Sequence, residues 1–132
     1  MSPYDTKVKG YTIVDIREHV EDGVLESDRY RPSRTRLLCD VLDQYRDDPS
    51  TLVLDFNGMH QVDVSSMEIL LQYFLLRRSD SGRQTAVLCQ SDIMLGTIRN
   101  AIRRMQISYG SSYEFSISAY RRTLDETPVK LE

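Results

Sequence analysis

The chain has 132 residues with a formal net charge of −3, 40% hydrophobic and 28% charged residues. These are globular proportions that exclude global disorder, and length alone bounds the chain to one domain. The acidic balance, pI near 5.4, speaks against a nucleic-acid partner. No apolar run approaches the roughly 18 residues of a membrane span.

The opening "MSPYDTKVKGYT" has no apolar segment of signal-peptide type, so the expected compartment is the cytoplasm. One domain is expected over 1–132, with flexible tails at 1–7 and 126–132. "GYTIVDIREHV" (Gly10 to Val20) reads as β-structure. A hairpin turns either at Asp22-Gly23, with "VLES" as its second strand, or earlier at Lys9-Gly10. "SDRYRPS" is a polar connector whose Pro32 suits a first helical turn. Leu37, Leu38, Val41, Leu42 and Tyr45 then recur at helical spacing until "RDDPS".

"TLVLDF" (Thr51 to Phe56) is a near-continuous apolar run, which predicts a strand buried on both faces and parallel to a neighbour. Asn57-Gly58 is a turn. The next helix carries Met67, Leu70, Leu71, Phe74 and Leu75 on one face and ends at "SDSGR". "TAVLCQ" predicts another buried strand, followed by a helix capped by Ser91 or Asp92, with Leu95, Ile98, Ile102 and Met105 inward. "SYGSSYEF" reads as loop and short strand, and "SISAYRRTL" as a closing helix. Alternating strands and helices predict an α/β fold with a mostly parallel or mixed sheet.

Catalytic signatures are missing. His19 and His60 lie far apart, with no HExxH or spaced Cys/His set for zinc. Neither common phosphate loop occurs, nor a G-x-S-x-G elbow. Cys39 and Cys89 fall in apolar positions and are expected to be buried and reduced. The arginines Arg29, Arg31, Arg34 and Arg36, and later Arg99, Arg103 and Arg104, read as solvated helix faces among 20 acidic residues rather than an anion site. No catalytic residue, metal or cofactor is therefore expected.

The junction "QVDVSSMEILL" holds the remaining chemistry. Asp63 stands where an N-cap belongs, its carboxylate placed to accept the backbone N–H of Ser65 or Ser66. On the plainest reading, Asp63 caps and the serines fill the first turn. A hydroxyl there also projects toward solvent at the carboxyl edge of a buried strand. A phosphate on it meets free backbone N–H groups and the positive helix end, with Asp63 opposing. Such a group alters the surface without unfolding the core, as a switch at an interface requires.

From about Thr51 to Leu124 the chain resembles the STAS family of sulphate-transporter tails and bacterial anti-sigma-factor antagonists. "LVLDFNGMHQVDVSSMEILL" carries the likeness: Asp55 matches the family's strand-end Asp, Gly58 its loop glycine, and Val62-Asp63 its apolar-Asp pair. "TAVLCQSDIMLGTIRNAI" is similar to the next strand and helix, and "YEFSISAYRRTL" to the closing segment, with Ala119 at the family's alanine. Val64 replaces the first Ser of the pattern, and Ser66 the glycine after the second.

The resemblance implies a small STAS-like domain, a mixed four- or five-stranded sheet with helices packed on it. It implies a non-enzymatic signalling module whose phosphoacceptor is Ser65, with Ser66 as fallback. The partner surface would comprise His60, Asp63, Val64, Ser65, Ser66 and Met67, with Asp55 and Gly58 structural. The implied partner is an anti-sigma factor with serine-kinase activity, and a homo-oligomer is compatible with it. Two alternatives stand beside this reading: a scaffold never phosphorylated, as a subunit of a regulatory or transport assembly, and a small nucleotide-binding protein or enzyme using the same helix mouth.

Overall fold

The computed structural model describes residues 5–26, 34–110 and 116–131. Its main sheet has five strands. β1 (Asp5–Val8) runs antiparallel to β2 (Tyr11–Asp15). From β2 onward, β4 (Thr51–Asp55), β6 (Thr85–Leu88) and β7 (Ile117–Tyr120) are joined in parallel. The sheet is therefore mixed, within an α/β domain. A second, two-stranded sheet pairs β3 (Val24–Leu25) with β5 (Gln61–Val62), also in parallel.

The first hairpin turns at Lys9-Gly10. Val8 faces Tyr11 across a two-residue turn, and Lys9 and Gly10 have φ of 42° and 86°. Positive φ at both central residues matches the right-handed twist of the flanking strands, and glycine accepts it without a Cβ clash. Asp22-Gly23, the other candidate, is instead a tight turn leading into β3. Residues 5–7, placed by sequence in a flexible tail, belong to β1. At the other end, Val129 bridges Ala119.

Three helical bodies pack on the sheet. α1 (Arg34–Leu42) continues as a 3₁₀ turn over Asp43–Tyr45. α2 (Val64–Leu70), a π-turn (Leu71–Leu75) and α3 (Leu76–Asp80) make one uninterrupted rod, the backbone staying right-handed helical at both junctions. α4 (Asp92–Tyr109) is the longest. The apolar stripe expected for the second helix is all buried, as are Leu95, Ile98, Ile102 and Met105 of α4.

Register divides the strand residues between two faces. Val14, Leu54, Val87 and Ala119 are paired in turn across the sheet and join the helices in one core. Each buried Leu, Ile or Phe there contributes roughly 1.5–3 kcal/mol relative to exposure.

Two sequence expectations need correction. α1 turns Thr35, Leu38, Cys39 and Leu42 inward, leaving Leu37 55% and Val41 36% exposed. The closing segment is the strand β7 rather than a helix. Its edge position next to β6 supplies parallel backbone partners, and an extended Ala119 enters the core with no accessible surface. Arg29, Arg31 and the helix start proposed at Pro32 lie outside the described residues. Cys39 and Cys89 are free and buried. Burial raises the Cys39 thiol to about 11 and raises that of Cys89 too, so both resist forming the reactive thiolate.

Candidate functional site

Strands β2, β4, β6 and β7 end side by side, at Asp15, Asp55, Leu88 and Tyr120. The chain leaving β4 must turn back over this edge before the rod begins. Asp55 Oδ1 accepts the Asn57 N–H at 2.9 Å, which starts the turn. The Asn57 side-chain oxygen then accepts the Gln90 N–H at 3.0 Å, tying the turn to the loop after β6. Burial raises the Asp55 carboxyl above its ordinary value; the Asn57 hydrogen bond opposes this and the neighbouring Asp15 charge reinforces it.

The backbone at position 58 favours glycine. Its φ is +83°, and a Cβ there would lie 3.1 Å from Cδ of Arg17, whose side chain runs over the turn. Gly23 is equally confined: its φ is +63°, and a Cβ would stand 3.1 Å from the His60 ring. The close approach lets the Gly23 carbonyl accept the His60 N–H at 2.8 Å, and Leu25 accept the Asp63 N–H at 3.2 Å. The β3 strap thus holds the backbone on both sides of β5. Sequence reading missed this strap because Asp22-Gly23 signals a hairpin, whereas β3 finds its partner 37 residues away (Val24 with Gln61).

Asp63 caps the rod. It is extended (φ −82°, ψ 164°), and its Oδ1 accepts the Ser66 N–H at 2.6 Å. Of the two N–H partners open on sequence grounds, Ser66 supplies this bond. The first turn then divides the serines. Ser65 is exposed, whereas Ser66 has no accessible surface and its Oγ has no hydrogen-bond partner. Ser66 as fallback phosphoacceptor is therefore corrected: a kinase cannot reach its hydroxyl without opening the helix. Met67 needs the same correction as a partner-surface residue, being only 2% exposed and part of the core. The 100° step of the helix turns positions 66 and 67 inward and leaves Ser65 at the surface. His60 is exposed, and Asp63 and Val64 are half-buried, Val64 packing against the core.

One turn further on, the Glu68 carboxylate receives a charge-assisted bond from Arg104 of α4 at 2.9 Å. At the head of α4, Ser91 rather than Asp92 caps, its Oγ accepting the Met94 N–H at 3.3 Å. Asp92 instead pairs with Arg121 at 2.6 Å. These pairs were illegible because their partners lie 36 and 29 residues apart in sequence.

Among the described residues, no three His, Cys, Asp or Glu side chains group as metal ligands, and no helix is long and apolar enough to cross a membrane. A shallow groove of about 160 Å³ lies between Tyr11 and Tyr120, over Ala86 and Ser118, and none of its lining residues belongs to the 60–68 junction. No protein family, curated protein or solved structure compared with the chain matches it.

Proposed function

We propose that this chain is a non-enzymatic, cytoplasmic protein-interaction module of STAS type, switched by phosphorylation of Ser65. The observation that carries the reading is the split between the two serines: Ser65 stands exposed at the strand–helix junction while Ser66 is sealed in the core. A partner that reads His60, Asp63, Val64 and Ser65 meets a surface whose backbone is held by the β3 strap and the Asp63 cap. Such preorganisation lowers the ordering cost of association.

The partner in this reading is an anti-sigma factor with serine-kinase activity. Ser65 Oγ attacks the terminal phosphorus of a nucleoside triphosphate held by the kinase. The bond to the diphosphate leaving group breaks, and the hydroxyl proton passes to a base of the kinase. The product carries about −1.5 to −2 charge beside Asp63, and like-charge repulsion weakens or redirects partner binding.

A second reading, a scaffold that is never phosphorylated, draws on Val64 and Ser66. Both depart from the family pattern, and Ser66 occupies the place of a glycine with a buried side chain.

The test is incubation with the serine kinases encoded near its gene, followed by intact mass and site mapping. Phosphate on Ser65, with partner binding lost in Ser65→Asp and retained in Ser65→Ala, is the expected result. An unmodified chain, with the Asp variant binding normally, overturns the switch in favour of the scaffold.

A further inference from the structure

We propose that Arg104 is an intramolecular reader of phosphorylated Ser65, leaving Glu68 for the phosphate; this rests on the Ser65 switch proposed above. Arg104 sits on α4 and crosses to the α2 rod, where its Nη1 lies 2.9 Å from Glu68 Oε1. Its side chain is 61% exposed and that of Glu68 30%, so the pair is solvated and exchangeable rather than locked in the core.

Glu68 follows Ser65 by three residues. Positions three apart on a helix are surface neighbours, with Cβ atoms about 5–6 Å apart. Helical side chains lean toward the amino terminus, so Glu68 stands over the turn that contains Ser65. Arg104, meeting Glu68 there, has its guanidinium within a side chain's reach of a phosphate on Ser65.

The exchange has a clear direction. A phosphoserine dianion offers three acceptor oxygens and about twice the charge of a carboxylate, and a guanidinium binds it through two parallel N–H bonds. Asp63 and Glu68 flank the new group and repel it. Arg104 is the cation already seated on that surface, and moving it answers part of that repulsion. The Glu68 carboxylate is then released. Modification at Ser65 so changes the charge presented a full helical turn further along, and the α2–α4 contact takes part in the switch.

The test uses full-length protein with phosphoserine placed at 65 by suppression of an amber codon, so no kinase is needed. The second ionisation of the phosphate is followed by ³¹P NMR titration in the Arg104→Gln, Arg103→Gln and otherwise unchanged chains. Arg103 is the control, an exposed arginine on the same helix. A phosphate held by Arg104 favours the dianion, so Arg104→Gln is expected to raise the midpoint by about half a pH unit or more. Arg103→Gln is expected to leave it nearly unchanged. Equal midpoints in the Arg104→Gln and unchanged chains overturn the proposal, as does an equal rise in both variants, which marks a diffuse field. Either result leaves kinase modification of Ser65 standing. Failure of the kinase experiment, in contrast, removes the switch without touching the titration.

Discussion

The Asp63 carboxylate holds the Ser66 N–H at 2.6 Å, and this bond fixes where the rod begins. With the start set, the helical step places Ser65 outside and Ser66 inside. The cap therefore positions the candidate phosphoacceptor as well as satisfying an orphan helix donor. Asp63→Ala is expected to cost about 1 kcal/mol, while Asp63→Asn, which keeps an acceptor, costs only a few tenths. Urea unfolding of the three proteins checks this. Equal midpoints for Asp63→Ala and the unchanged chain would contradict a capping role.

Ser66 carries a buried hydroxyl without a partner. Burying such a group costs about 1–3 kcal/mol, so removing it relieves the fold. Ser66→Ala is expected to be neutral or to stabilise by up to about 1 kcal/mol. Ser66→Gly, matching the family pattern, is expected to rank below Ser66→Ala by about 1 kcal/mol through helix propensity. Thermal melts give the order directly; Ser66→Ala melting below the unchanged chain would mean that the hydroxyl has a partner in solution.

Much of this junction was legible because its signals are local. The apolar run of β4, the cap residue before the stripe, and the inward set from Met67 to Leu75 all lie within 25 residues. Each obeys a rule of period or spacing. What sequence reading missed depends on distant partners. Ile117–Tyr120 alternates too briefly to declare itself, and β6 on one side with Val129 on the other makes it a strand. Leu37 and Val41 keep helical spacing yet face outward, because spacing alone does not say which flank of a helix meets the core. The partner surface implied by the resemblance takes Ser66 and Met67 as a run along the chain, whereas a helix turns through 100° per residue and the apolar stripe already places Met67 inward. Nothing near Arg78 in sequence announces a buried cation.

Asp55 makes a pH prediction. Its carboxyl is raised by burial, with Asp15 alongside adding to the effect. A raised folded value means that the native state binds the proton more tightly than the unfolded chain. The stability contributed by that protonation is fully present below the unfolded value, near 3.8, and is lost as pH rises through the folded one. Asp55→Asn keeps the oxygen that accepts the Asn57 N–H but cannot ionise. Its stability relative to the unchanged chain is therefore expected to improve between pH 3.5 and pH 7, read from urea midpoints at both values. A difference that is the same at the two pH values would exclude ionisation of Asp55 as a cost to the fold.

Arg78 makes the strongest stability prediction. Its side chain has no accessible surface, yet its guanidinium finds acceptors throughout. Nε donates to Thr85 Oγ1 at 3.0 Å; Nη1 donates to the carbonyls of Tyr45 at 2.7 Å and Asp48 at 3.2 Å; Nη2 donates to those of Ser50 at 3.2 Å and Gln84 at 2.7 Å. One planar fork thus ties the end of the α2–α3 rod to the turn after α1 and to the start of β6. Burial lowers the guanidinium's affinity for its proton, the nearby Asp48 charge opposes that, and the group stays charged at any working pH. Arg78→Met fills similar space but leaves several buried carbonyls without donors. It is expected to cost about 3 kcal/mol or more. Arg78→Lys retains the charge with a single donor centre, so it cannot span the same set of carbonyls and should recover only part of the loss. Arg77→Met, at the exposed neighbouring position, is expected to stay within about 0.5 kcal/mol. Chemical unfolding of the three variants tests the ranking. A small loss for Arg78→Met would show that the carbonyls are satisfied by water instead, and that the turn after α1 does not depend on this side chain.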